Sequence, residues 1–200
     1  MTDATRIVES LAHHDALVET PLSKKLDRFI LSICGAFNWI WVVLLLVIIG
    51  NVILRYVFSQ GMIELEELQW HLYSIGWLMA LSSTFIVDGH VRVDALHDKL
   101  SYKGKMWFEL VGLLVLFLPF VSFIVYYSLD LVALSWSTSE TSTSANGLPA
   151  RWIVKGFLCF GFSLLCLAGI SRLIKVIASL RSPSNLNPPS LPEGTAQRMM

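Results

Sequence analysis

Residues Asn51–Ala95 read NVILRYVFSQGMIELEELQWHLYSIGWLMALSSTFIVDGHVRVDA. The stretch begins inside one apolar segment and leaves it through Arg55 and Tyr56. It crosses a short acidic connection, Ser59–Gln69, that carries Glu64, Glu66 and Glu67. It then runs through a second apolar segment, Trp70–Val87, and leaves through Asp88, His90, Arg92 and Asp94. Two polar exits flank an apolar run near the minimum length of a membrane span, which takes about 20 residues at ~1.5 Å each. This pattern describes a helical hairpin set across a bilayer.

The rest of the chain repeats it. Further apolar segments occupy Phe29–Phe58, Met106–Trp136 and Trp152–Ile177. The expected architecture is therefore an all-α integral membrane protein with four transmembrane helices, at about 29–58, 70–87, 106–136 and 152–177. These form one domain, 26–180, between an N-terminal segment, 1–25, and a tail, 181–200. The tail, with four prolines after Arg181 and no periodicity, reads as disordered. Composition agrees: 54% of the 200 residues are hydrophobic and 15% are charged, against about 45–50% and ~25% in soluble domains.

Helix-packing and bending signals sit inside the spans. Ser74, Gly76, Ser82, Ser83 and Thr84 let neighbouring helices approach closely. Pro119 lies mid-span, where a missing N–H and a steric clash disrupt the helix.

Orientation follows from where the cations fall. Lys24, Lys25 and Arg28 precede the first span; Arg92, Lys99, Lys103 and Lys105 separate the second and third; Arg172, Lys175 and Arg181 close the fourth. The two intervening loops are poor in cations. Both termini and the central loop are expected in the cytoplasm, with Ser59–Gln69 and Ser137–Arg151 outside.

Few residues offer chemistry. Cys34, Cys159 and Cys166 form no CxxC pair and read as small buried hydrophobes. His71, His90 and His97 lie at membrane edges or in the central loop, not deep in facing spans as haem ligation requires. Glu64, Glu66 and Glu67 favour the first turn of a helix without further ligand geometry. No phosphate-binding glycine loop, HExxH or GxSxG occurs. No catalytic, cofactor-binding or metal-binding residue is expected, and the chain is not read as an enzyme. Among ionisable residues in the spans, Arg55 and Asp130 fall near the same membrane face and suggest a mutual pair; Glu109 lies four residues after Lys105, a local helix pair.

Three motifs then resemble one family. Asn51-x-x-x-Arg55-Tyr56-x-Phe58, Glu66-Glu67-Leu68 and His90-Val91-Arg92-Val93-Asp94 are similar to the span-one exit, span-two start and inner loop of the DctQ family. That family comprises the small membrane subunits of tripartite ATP-independent periplasmic (TRAP) transporters. The resemblance covers about 25–180. The sequence departs from it in lacking a tryptophan just before the paired glutamates, where Ile63 and Leu65 stand.

The resemblance implies a small permease subunit in a bacterial inner membrane. Its partners would be a large multi-span subunit, which carries the solute and sodium, and a periplasmic substrate-binding protein. The solute would be small and typically carboxylate-bearing. The small subunit would act as a scaffold and docking surface for symport, with no cofactor of its own. Structural or partner-contact roles would fall to Asn51, Arg55, Tyr56, Glu66, Glu67, His90, Arg92 and Asp94, with Arg55 and Glu67 bridging the outer ends of the first two spans. The rival expectation is a stand-alone four-helix adaptor or redox protein with no transport role.

Overall fold

The structure, a computed structural model, describes residues 17–89, 102–144 and 146–181. Among them every regular element is helical. The helices are α1 (Pro21–Phe37), α2 (Ile40–Val57), α3 (Ile63–Ile86), α4 (Tyr102–Val111), α5 (Leu118–Ser137) and α6 (Trp152–Arg181), with a π-helical stretch, Gly112–Phe117, joining α4 to α5.

Local chemistry accounts for the ends. Thr20 and Ser23 cap α1 reciprocally: the Ser23 N–H donates to the Thr20 hydroxyl at 3.2 Å, and the Thr20 N–H to the Ser23 hydroxyl at 3.1 Å. Pro21 follows at the first helical position, where its missing N–H costs nothing. The helix therefore starts eight residues before the apolar segment does. A two-residue turn, Asn38–Trp39, interrupts the first long segment and separates α1 from α2. The helix signals around Pro119 resolve into the π-helical stretch just before it, one of the recognised sources of a bend.

Two helices end in Schellman motifs built without glycine at the left-handed position. Asp88 (φ 58°) closes α3: Gly89 N–H reaches Thr84 O at 2.9 Å and Asp88 N–H reaches Phe85 O at 3.3 Å. Ser139 (φ 48°) closes α5: Glu140 N–H reaches Ser135 O at 3.0 Å and Ser139 N–H reaches Trp136 O at 3.1 Å. Asp and Ser tolerate this region less well than glycine. In return, the first motif places the Asp88 carboxylate, and the second the Glu140 carboxylate, against cations of α6.

The core lies between α1, α3 and α6. It contains Ile30, Cys34, Ile75, Leu78, Met79, Leu164 and Ala168. Glycines set the helix spacing. A Cβ on Gly161 would stand 3.0 Å from Leu78 Cβ and 3.2 Å from its carbonyl oxygen. One on Gly169 would stand 2.5 Å from the Phe117 ring, beside the π-helical stretch. Ser82 donates to the Gly161 carbonyl at 3.4 Å across the α3–α6 contact. Close approach of backbones through small residues is how helices gain packing in lipid. Gly169→Val should therefore force α5 from α6 and destabilise the protein by about 1–3 kcal/mol. Gly35→Ala, where a Cβ meets nothing within 4 Å, should leave stability unchanged or raise it slightly. Thermal unfolding in detergent, followed by tryptophan fluorescence, checks both.

Among the described residues, three segments are long and apolar enough to cross a membrane: Pro21–Val57, Lys103–Ser137 and Trp152–Arg181. The 24-residue α3 is long enough as well, but its first turns are acidic and its middle carries hydroxyl residues. The structure thus places a helix over each of the four expected segments, with three of them apolar along their length.

Candidate functional site

The polar chemistry gathers at the two ends of the bundle. At one end α1, α3, α4 and α6 converge. Arg172 of α6 donates to Glu109 of α4 and, at 3.0 Å, to Asp88. Its side chain is only 12% exposed, and its guanidinium lies 5.7 Å from the Phe85 ring centre. Phe85 in turn stacks on Phe117 at 4.6 Å. One cation of α6 thus ties the end of α3 to α4.

One turn further along α6, Lys175 meets Asp27 at 2.5 Å. Asp27 also accepts from the Ser171 hydroxyl at 2.6 Å. The Val18 N–H donates to Ser179 at 2.8 Å. Buried ion pairs in low dielectric demand such additional hydrogen bonds. These contacts fix the start of α1 antiparallel to the end of α6. Lys24, Lys25, Arg28, Lys103, Lys105, Arg172, Lys175 and Arg181 therefore share one end of the bundle.

The other end is acidic. Glu67, in the connection before Trp70, accepts from the Ser142 hydroxyl and, at 2.6 Å, from the Leu148 N–H. The loop between α5 and α6 closes on itself through Ser142 N–H to Leu148 O at 3.2 Å and Arg151 N–H to Glu140 O at 3.2 Å. Glu140 pairs with Lys155 in the first turn of α6, and Arg151 stands 4.0 Å away. Trp136 and Trp152 meet edge to face at 4.5 Å below it.

Both carboxyls are held below the ordinary range. Donation from Ser142 and then from the Leu148 N–H does this for Glu67. The Lys155 ammonium does it for Glu140. Each lowers the pKa by binding the charged form. A shallow cleft between Glu67, Trp70, His71, Ser74, Arg151 and Val154 opens beside this loop.

The residues singled out from sequence separate into three groups. Arg55 and Glu66 come together at 3.3 Å, joining the end of α2 to the start of α3. The expected bridge thus uses Glu66, because Glu67, one residue on, points to the α5–α6 loop. Both partners are about half exposed, so the pair contributes at most about 1 kcal/mol. The expected pair of Arg55 with Asp130 does not form: Arg55 is taken by Glu66, and Asp130 faces outward from α5. Asn51 is buried within α2, with its side-chain oxygen lacking a hydrogen-bond partner among the described residues. Tyr56 is exposed. His90, Arg92 and Asp94 lie outside the described residues. Glu109, four residues after Lys105, reaches across to Arg172 on α6.

Sequence reasoning missed the roles of Asp27, Asp88, Arg172 and Lys175. The signal was present: each acid lies within a turn of a membrane edge, on the side where the cations collect. Among the described residues, no group of three or more His, Cys, Asp or Glu side chains gathers as a metal site, and the three cysteines are free.

A helical bundle with at least three membrane-length helices and paired charges at both ends is a multi-pass membrane component. A family model described as tripartite ATP-independent periplasmic transporters, DctQ component, matches residues 44–179. The chain belongs to that family, the small permease component of these transporters. The match bears out the resemblance carried by the three sequence motifs. No curated protein matches the chain.

Proposed function

We propose that this chain is the scaffold of a sodium-coupled importer in a bacterial inner membrane. It crosses the membrane four times, α3 included, with both termini cytoplasmic, and residues 26–180 form the membrane domain between two terminal segments. It braces the large transport subunit and helps dock the periplasmic substrate-binding protein. The large subunit carries the sodium and the solute, a small carboxylate-bearing molecule.

One observation carries this reading within the family. The charged side chains are sorted by end, with the basic network at one end and the acidic loop at the other. The positive-inside rule sets the basic end in the cytoplasm. The outer end is then a hairpin, 138–151, pinned by Glu67 and Glu140 and exposed to the periplasm. Asn51, Arg55, Tyr56, Glu66 and Glu67 belong to this outer half, as structural or docking residues. His90, Arg92 and Asp94 belong to the inner loop.

Reconstitution tests the proposal. Proteoliposomes carrying this chain and the large subunit, supplied with the binding protein, are assayed with a panel of radiolabelled small organic acids. At least one acid should accumulate under an inward sodium gradient, and only with all three proteins present. Equal uptake without this chain would remove its role.

A further inference from the structure

Asp130 is exposed on α5, and no hydrogen bond or ion pair reaches its carboxyl among the described residues. It lies six residues before Trp136, about 9 Å along the helix. Leu129, Leu131 and Leu134 around it are exposed too, so apolar surface continues for a full turn beyond it. A short carboxyl here reaches less far toward the headgroups than a lysine or arginine does. Every other acid in the described helices beyond α1 either pairs or lies in a first turn at a membrane edge.

The surface around Asp130 has a period. Phe120, Phe123, Tyr127, Asp130 and Leu134 follow one another at spacings of three, four, three and four, and all are exposed. The buried residues of the same helix, Val121, Ser128 and Ser135, recur every seven on a different face, against α6. Asp130 stands two and a half turns from Val121, on the opposite side. Spacings of three and four along an open face make the seam of a left-handed helix pair.

We infer that the Phe120–Leu134 seam of α5 is the face on which the large membrane subunit seats a helix, and that this helix brings an arginine or lysine to Asp130. The inference rests on the reading of the chain as one component of a tripartite transporter. Lipid tails supply no donor for a carboxyl. A second copy of this chain docked through the same seam supplies none either, because the seam holds no cation and a two-fold pair places like surfaces together. A membrane partner of different sequence satisfies the carboxyl, and intramembrane acids pair in this way.

The test uses the assembled transporter in its own membranes. A photo-crosslinking phenylalanine derivative replaces Tyr127 on the seam, or Leu46 on the exposed side of α2 as a comparator. In parallel, the tagged chain is purified as Asp130→Glu, Asp130→Asn and Asp130→Lys, and recovery of the large subunit is measured. Thermal unfolding of each purified variant reports folding. The Tyr127 position should crosslink to the large subunit. Recovery should stay within about twofold for Asp130→Glu and fall about tenfold or more for Asp130→Lys, with Asp130→Asn between them. Crosslinks from Leu46 but not from Tyr127 overturn the assignment of this face while leaving the tripartite reading intact. Crosslinks from Tyr127 to a second copy overturn the choice of partner. Unchanged recovery of the large subunit in both Asp130→Asn and Asp130→Lys overturns the pairing. If no larger membrane protein crosslinks from either position or co-purifies with the unaltered chain, the tripartite reading itself fails.

Discussion

Replacing Arg172 with methionine is expected to cost this protein more than any other single change at the basic end of its bundle. The side chain joins Glu109, Asp88 and the Phe85 ring, and so joins α3, α4 and α6. Methionine fills much of the volume but takes the guanidinium away from Glu109, and from one side of Asp88. Removing one partner of a buried pair costs about 3–5 kcal/mol, because the remaining charge is uncompensated. At this chain length that is a fall in unfolding temperature of about 10 °C. A second substitution, Glu109→Gln, removes one of the stranded charges and should recover part of the loss. Thermal unfolding in detergent, with the monodisperse fraction by size exclusion, reads both. An unchanged melting temperature in Arg172→Met would mean that the network is ornamental.

The second large effect is expected on transport. Glu66→Lys/Glu67→Lys should reduce uptake by more than about tenfold, since Glu67 holds the α5–α6 hairpin through Ser142 and Leu148. Membrane insertion should be intact, because the reversed charges lie before the apolar part of α3. Like charge then faces Arg55 and Arg151 at the outer end. Uptake assays in cells, with the amount of inserted chain measured by blotting, separate the two. Normal uptake would reduce the acidic connection to a solvated helix end.

The same hairpin has a direction in pH. Glu67 and Glu140 are each held below the ordinary carboxylate range in the folded state. Their contribution is complete above the unfolded value, about 4.3 for glutamate, and is lost as pH falls through the lowered value. The outer loop should hold through neutral pH and loosen only in acid.

The sequence made much of this legible, and the limits are physical. Apolar run length and turn residues located the helices, because a bilayer dictates span length. The start of α1 at Pro21 was missed because a Thr20–Ser23 cap can begin a helix in polar sequence, before hydrophobicity announces it. The break at Asn38–Trp39 was missed because two residues with helical backbone angles leave no proline or glycine to mark it. The motif around Asn51, Arg55 and Tyr56, taken together with Glu66–Leu68 and His90–Asp94, pointed to the family. It did not reveal partners: Arg55 chose Glu66 over Glu67 by a rotation of one residue on α3, which spacing alone does not fix. The Arg172 and Asp27 pairs join residues far apart in the chain: the sequence places these acids at the cation-rich edge, but spacing does not say which cation each meets. Asp130 was visible as an anomaly of depth, but only the packed helix shows that it faces away from its own bundle.

This chain is expected to work as one component of a larger membrane assembly. Native mass spectrometry of the tagged chain, extracted from its own membranes in mild detergent, tests it most directly. A complex containing this chain and one larger multi-span membrane protein is expected, with little of the chain free. Recovery of the chain alone, or only with further copies of itself, in folded form would contradict it.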